Sequence, residues 1–238
     1  MSLPVAVISS WRGLAGPAIS LALAQCDYSL LINGPEDEIF SLQSGDFLGK
    51  ILALPFDLTQ EESVQQALLT GLEIFGRIDV LVNNIYAWND ASLHDITEEM
   101  WAEVLSHNLK GTFYCCRAAA AVMQSQQSGK IINVTSTSAF TGAHTQFAAS
   151  CAAVHSLTRS LARELAPHVK VNTVACGMLD EPWIDEGGPE LRDMLTTSVP
   201  LGRLCSTDDL AEAVAFFATG ADFVTGQMLI VDGGETMR

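Results

Sequence analysis

The stretch Val5-Ala-Val-Ile8-Ser-Ser-Trp-Arg-Gly13-Leu-Ala-Gly16-Pro17 decides the architecture of this chain. Four consecutive apolar residues, without a polar alternation, describe a strand buried on both faces. Two glycines then allow a tight turn, and Pro17 suits the first turn of a helix, where no backbone donor is needed.

The same succession recurs outward from this segment. Residues 5–8, 29–32, 51–54, 80–82, 131–134, 169–174 and 228–231 read as short apolar or β-branched strands. Residues 17–25, 60–75, 98–123, 147–166 and 207–219 carry helical patterns between them. Thr59-x-x-Glu62 and Ser206-x-x-Asp209 resemble capping boxes at two helix starts. Strands alternating with helices predict an α/β fold: a single doubly wound Rossmann-type domain over 1–238, with a seven-stranded parallel sheet covered by helices on both faces. No repeat, linker or low-complexity segment divides the chain.

Composition narrows the function classes. A chain of 238 residues with 48% hydrophobic content builds one large core. No apolar run approaches the ~18 residues of a membrane span, and the first ten residues lack a basic leader, so a cytoplasmic protein is expected. The six cysteines, at 26, 115, 116, 151, 176 and 205, show neither CxxC nor zinc-like spacing and read as reduced packing thiols, with no metal. A net charge of −16 argues against nucleic acid and anionic membranes as partners. It also disfavours phosphate-rich ligands such as NADPH or coenzyme A unless a local basic patch compensates.

The glycine turn is where a dinucleotide would approach the backbone, at the start of a helix whose amides favour phosphate. Several further motifs follow it in order. Asp57-Leu-Thr59, Asn83-Asn-Ile-Tyr86, Asn108-Leu-Lys-Gly111, Pro200-Leu-Gly-Arg203 and Val224-Thr-Gly-Gln followed by Val231-Asp-Gly-Gly234 resemble, in sequence and spacing, the motifs of the short-chain dehydrogenase/reductase family. The resemblance covers essentially the whole chain. It implies a nicotinamide cofactor near Ser10, Gly13, Gly16, Asp57 and Asn83, and a catalytic set at Asn108, Ser136, Phe147 and Cys151. The family's TGxxxGxG turn falls on Ser9, Ser10, Leu14 and Gly16 when counted back from Gly16. Counted from Gly13, a middle glycine is kept, Ala15 takes the last place and the loop changes length. The second strand ends Asn33-Gly-Pro35 without a charge to select the ribose, and Glu36 and Asp37 beyond it would repel a 2′-phosphate. The proline-glycine pair after the sixth strand reads Cys176-Gly177.

The family's tyrosine and lysine, four apart on one helix face, fall on Phe147 and Cys151. A tyrosine donates the proton that the alkoxide needs, and an ammonium beside it depresses its pKa. Phenylalanine has no such proton and cysteine no fixed charge. The family serine falls on Ser136, 11 residues before Phe147, with Ser138 as the alternative. Three groups are candidate replacements: a Cys151–His155 thiolate–imidazolium pair, His144 in the loop before Phe147, and Tyr86 after the fourth strand. Each also has an ordinary reading, respectively a packed thiol, a solvated loop histidine and a rim aromatic. The segment 178–198 carries six carboxylates and one base, Arg192, and reads as a solvated acidic loop or a face for a basic partner.

These departures lead to the expectation of a non-catalytic subunit that holds no cofactor, or at most residual NAD(H). Such a subunit would assemble with an active homologue in a hetero-oligomer, or as a homo-oligomer. The resemblance extends to heteromeric members of the family such as 2-(hydroxy(phenyl)methyl)succinyl-CoA dehydrogenase. Small residues on 98–123 and 147–166 and the retained C-terminal region suit that assembly. The alternatives are an enzyme of repurposed, non-redox chemistry (lyase, isomerase or dehalogenase-like) and a nucleotide-sensing regulator.

Overall fold

The computed structural model describes residues 2–43 and 47–237. Along the chain run β1 (Val5–Ile8), α1 (Gly16–Gln25), β2 (Ser29–Ile32), α2 (Glu36–Gln43), β3 (Ile51–Ala53), α3 (Glu61–Phe75) and β4 (Val80–Asn83). Then come α4 (Glu98–Leu105), a π-helical segment (Ser106–Gly111), α5 (Thr112–Gln126), β5 (Gly129–Ser136), α6 (Ser138–Thr141), α7 (Thr145–Glu164) and β6 (Val169–Cys176). The chain closes with α8 (Pro182–Glu186), α9 (Pro189–Thr197), α10 (Thr207–Thr219) and β7 (Met228–Val231).

All strands are parallel, in the order β3-β2-β1-β4-β5-β6-β7. The expected seven-stranded, doubly wound sheet is the one observed. Strands β1, β2, β4, β5 and β6 have two buried faces, and alternate residues divide between two cores; the edge strands β3 and β7 are less covered. Ala6, Ile8, Leu30, Ile32, Val82 and Val134 pack under α1 and α10. Val7, Leu31, Leu81, Ile131 and Val171 pack under α3, α5 and α7. This is why the strands read as unbroken apolar runs. No helix among the described residues is long and apolar enough to cross a membrane.

Three sequence expectations need correction. The single helix expected over 98–123 is two helices joined by the π segment. The Thr59 capping box does not form: the N-cap of α3 is Gln60, while Asp57 Oδ1 accepts from both the backbone N (2.8 Å) and Oγ1 (2.7 Å) of Thr59. The Ser206–Asp209 box does form at α10. The acidic segment 178–198 is not a loop but carries α8 and α9, anchored by Ile184 against Val199 and Leu204.

Chain order reverses between β1 and β4, which opens a crevice at their carboxyl ends, the usual ligand position in such sheets. The β1–α1 turn is pressed into it. Asn84, just after β4, donates from its backbone N to Ser9 Oγ (3.0 Å) and from Nδ2 to the Ser10 carbonyl (3.3 Å), and its Oδ1 accepts from Ala15 N (3.4 Å). A Cβ on Gly13 would lie 1.7 Å from the Asn84 carbonyl oxygen, so glycine is needed there for close approach rather than for conformation. Gly13→Ala is accordingly expected to destabilise the fold by ~3 kcal/mol, read from the denaturant midpoint.

Candidate functional site

A cleft of about 490 Å³ lies at the carboxyl ends of β4, β5 and β6, closed on its outer side by α8. Its floor includes Leu14 of the glycine turn, Ser136 at the end of β5 and Phe147 of α7. Tyr86, from the loop after β4, forms one wall, and His144 lies at the entrance to α7. The structure therefore brings Tyr86, Ser136, Ser138, His144 and Phe147 together at one cleft, while Ser10, Gly13, Gly16, Asp57, Asn83, Asn108, Cys151 and His155 do not line it.

Asn108 organises the wall. It sits in the π segment, a distortion that often marks functional positions. Its Oδ1 accepts from Ala87 N and its Nδ2 donates to the Ala87 carbonyl, both at 2.8 Å. This clamp fixes the residue next to Tyr86. Nδ2 also reaches Ser150 Oγ (3.0 Å), whose hydroxyl donates to the Phe147 carbonyl (2.7 Å). One amide thus sets the Tyr86 loop against α7.

The Tyr86 and Phe147 rings meet edge to face, with centroids 5.1 Å apart. Phe147 is 5% exposed, and both rings line the cleft. Burial, followed by the nearby Glu181 carboxylate, pushes the Tyr86 phenol well above its ordinary value. Its hydroxyl has no hydrogen-bond partner among the described residues, which leaves it free for a ligand.

Cys151 is 4% exposed, and burial raises its thiol to about 11. It lines a void of about 10 Å³ between Leu14, Ile85 and Phe147, with no room for a ligand group. His155 turns elsewhere: its Nε2 bonds Thr135 Oγ1 at 2.7 Å and its ring stacks on Phe140. Burial first, then Arg159, lowers the imidazole to about 4. The expected Cys151–His155 ion pair is therefore corrected: a neutral thiol and a neutral imidazole face different partners, because burial disfavours both charges.

Ser136 Oγ accepts from Ser138 N and lies 3.1 Å from Ser138 Oγ, so both serine candidates occupy the same corner of the cleft. His144 is exposed, packed on Trp88 at 4.9 Å, with Asp90 Oδ1 3.8 Å from its Nδ1. Among the candidates for a cofactor, Asn83 is spent inside the sheet, donating to Asn133 Oδ1 (2.8 Å) and Cys116 Sγ (3.2 Å). Asp57 is held by the Thr59 turn. Ser10 and Gly13 sit in the turn clamped by Asn84, and Gly16 begins α1, where an added Cβ would lie 2.1 Å from the Trp11 carbonyl oxygen.

One residue was missed. Arg12 projects from the β1–α1 turn at the end of β2, where Trp11 N donates to the Asn33 carbonyl (2.8 Å). Its side chain is 73% exposed, and its Nε bonds Glu38 at 3.0 and 3.1 Å. Its sequence signal is a base directly before Gly13, on the turn rather than at the end of the second strand.

Comparison with known proteins places this geometry. The family model described as "Enoyl-(Acyl carrier protein) reductase" matches residues 13–236. The 3-oxoacyl-[acyl-carrier-protein] reductase FabG of Staphylococcus aureus is 33% identical over 239 residues, covering 97% of each chain. A dehydrogenase subunit, BbsD, named for (2S)-[(R)-hydroxy(phenyl)methyl]succinyl-CoA in Thauera aromatica, is 31% identical, covering 98% of this chain and 96% of its own. The structure of ElxO with NADP bound superposes with a TM-score of 0.92 at 26% identity, over 99% of this chain and 100% of that one. This chain belongs to the short-chain dehydrogenase/reductase family. A tyrosine-to-phenylalanine variant of ElxO with NADPH bound also superposes with a TM-score of 0.92, at 27% identity.

Two expectations are corrected by these findings. The non-catalytic subunit gives way to an oxidoreductase reading, since relatives matching nearly the full length are named as reductases and dehydrogenases. The absence of a cofactor gives way to NADP(H), which occupies structures of the same fold. Sequence reasoning weighed the changed side chains one at a time. Tyr86, a candidate from the sequence, lines the cleft, while Arg12 lies at the end of β2.

The His155 assignment has a consequence for stability. The folded imidazole binds its proton only near pH 4, whereas the unfolded one does so near ~6.5. This contribution to stability is full above pH ~6.5 and is lost as pH falls toward 4. Thermal unfolding from pH 7 to 4 is expected to show a steeper loss for the native protein than for His155→Gln.

Proposed function

We propose that this protein is an NADP(H)-dependent oxidoreductase that interconverts a carbonyl compound and its alcohol in the cleft beside Tyr86. The observation that carries the reading is the placement of the Tyr86 phenol, edge-on to Phe147 and open to the cleft. The family's tyrosine position is occupied by Phe147, and its lysine position by Cys151. Tyr86 supplies a phenol on the same cleft wall, 5.1 Å from the Phe147 ring between centroids. Relatives named as reductases, and an NADPH complex carrying phenylalanine in place of a tyrosine, support the same reading.

The chain's own atoms fit the cofactor. Arg12 offers an exposed guanidinium at the end of β2, where a 2′-phosphate would have to displace Glu38 from it, beside the acidic first turn of α2. When bound, NADPH supplies a hydride to the carbonyl carbon.

The remaining chemistry belongs to side chains. Ser136 and Ser138 offer hydroxyls that orient the carbonyl oxygen. Tyr86 donates its proton to the oxygen as negative charge develops there, and regains one from solvent through the mouth of the cleft. Its raised pKa keeps the proton on the phenol at neutral pH and makes it a weaker acid than a tyrosine beside an ammonium, so the transfer is driven by the developing alkoxide, a stronger base than the phenolate. Asn108 is a positioning residue, holding Ala87 and hence the phenol.

Two experiments test this. Tyr86→Phe is expected to lower kcat for NADPH-dependent carbonyl reduction ~100-fold or more while leaving NADPH affinity unchanged. In the native protein, reduction should be nearly flat over pH ~6–9, whereas alcohol oxidation, which needs the phenolate, should rise with pH. An unchanged kcat in the variant would return the proton step to another group. Arg12→Ala is expected to weaken NADPH binding ~10-fold or more, with little effect on NADH, as measured by calorimetry.

A further inference from the structure

The chemistry of the cleft wall is unlike that of a site for a phosphate-bearing acyl thioester. Beyond Tyr86 and Phe147, its aromatic surface is completed by Trp88 and Trp183, both more than a third exposed. Among these rings stand three carboxylates, Asp90, Glu181 and Glu235, contributed by the β4 loop, the start of α8 and the segment after β7. Among the described residues, no lysine or arginine lines the cleft.

The arrangement is built, not incidental. Glu181 Oε2 accepts from Trp183 Nε1 at 2.9 Å, which ties the carboxylate to the indole and fixes both at the mouth. Burial, with Asp232 beside it, raises the Glu235 carboxyl, so that wall favours a positive neighbour. The nearest base on the lid, Arg192, is engaged by Asp180 and Asp185, each at 2.8 Å, and does not neutralise the wall. Aromatic faces and carboxylates surrounding one cavity attract an organic cation through the ring quadrupole and through charge, and repel phosphate and carboxylate.

We propose that the substrate carries a cationic ammonium group, seated among Tyr86, Trp88, Trp183 and Glu181, with its carbonyl directed toward Ser136. This rests on the reading of the cleft as the substrate site. It gives the protein a substrate class of opposite charge to the acyl carrier protein and coenzyme A thioesters for which the two relatives are named. The cavity, at about 490 Å³, accommodates a small to medium amino ketone or amino alcohol.

The test separates charge from shape. Choline and its neutral isostere 3,3-dimethylbutan-1-ol are titrated into the full chain in saturating NADP+, by calorimetry and tryptophan fluorescence. Choline is expected to bind at least ~10-fold more tightly. That preference should fall ~5-fold in Glu181→Gln and again in Glu235→Gln, each checked for native circular dichroism. Equal affinity for the two probes, or a preference untouched by both variants, overturns the proposal. A parallel assay follows NADPH oxidation with an amino ketone, its uncharged analogue and an acyl thioester. Reduction of the uncharged analogue or the thioester at comparable kcat/KM overturns the charge selection but leaves the oxidoreductase reading intact. No reduction of any carbonyl compound overturns that reading, while the choline pair still decides the chemistry of the cleft.

Discussion

The contact between the β1–α1 turn and Asn84 governs much of this structure. A turn that follows a buried strand must satisfy its polar groups without water. Here one asparagine after β4 does so at three points: its backbone donates to Ser9, its amide bonds the Ser10 carbonyl, and its side-chain oxygen receives the Ala15 N–H. The approach is close enough that Gly13 tolerates no side chain. The start of α1 is thereby fixed against the crevice between β1 and β4, and Leu14 is directed into the floor of the cleft.

A second set of buried amides holds the other wall. Asn83 bonds Asn133, Asn133 bonds Thr158 Oγ1 at 2.8 Å, and Thr158 meets Thr173 Oγ1 at 2.8 Å, a chain running from β4 through β5 and α7 to β6. Such groups are costly to bury unpaired, so the ladder specifies how α7 lies on the sheet. Asn108 then joins the loop after β4 to the first turn of α7. Tyr86 and Phe147 meet as a consequence of these two amide systems. Sequence adjacency has no part in it.

Much of this was legible beforehand. The inner strands are sandwiched between two helical layers, so their apolar runs are continuous and easily read; the strand cores at 5–8, 29–32 and 228–231 match the structure residue for residue, although β7 leaves Leu229 and Ile230 exposed. The Ser206–Asp209 cap was legible because its partners are three residues apart. The π segment was not, because its widened turn answers to Asn108's bonds with Ala87 and Ser150, which are distant in sequence. Nor was the fate of Thr59, whose hydroxyl is drawn to Asp57 rather than to the helix.

The sequence by itself determined the sheet, the two layers of helices, the family to which the chain belongs and the residues at which its motifs depart. Periodicity and local spacing carry that information, since burial acts on each strand and helix separately. The tertiary structure alone decided where the side chains around these motifs lie. It sealed Cys151, turned His155 toward Thr135, set the phenol of Tyr86 beside Phe147, and brought Arg12 to the end of β2. Those outcomes depend on which buried polar groups find partners across the fold, and only the folded chain brings such partners together.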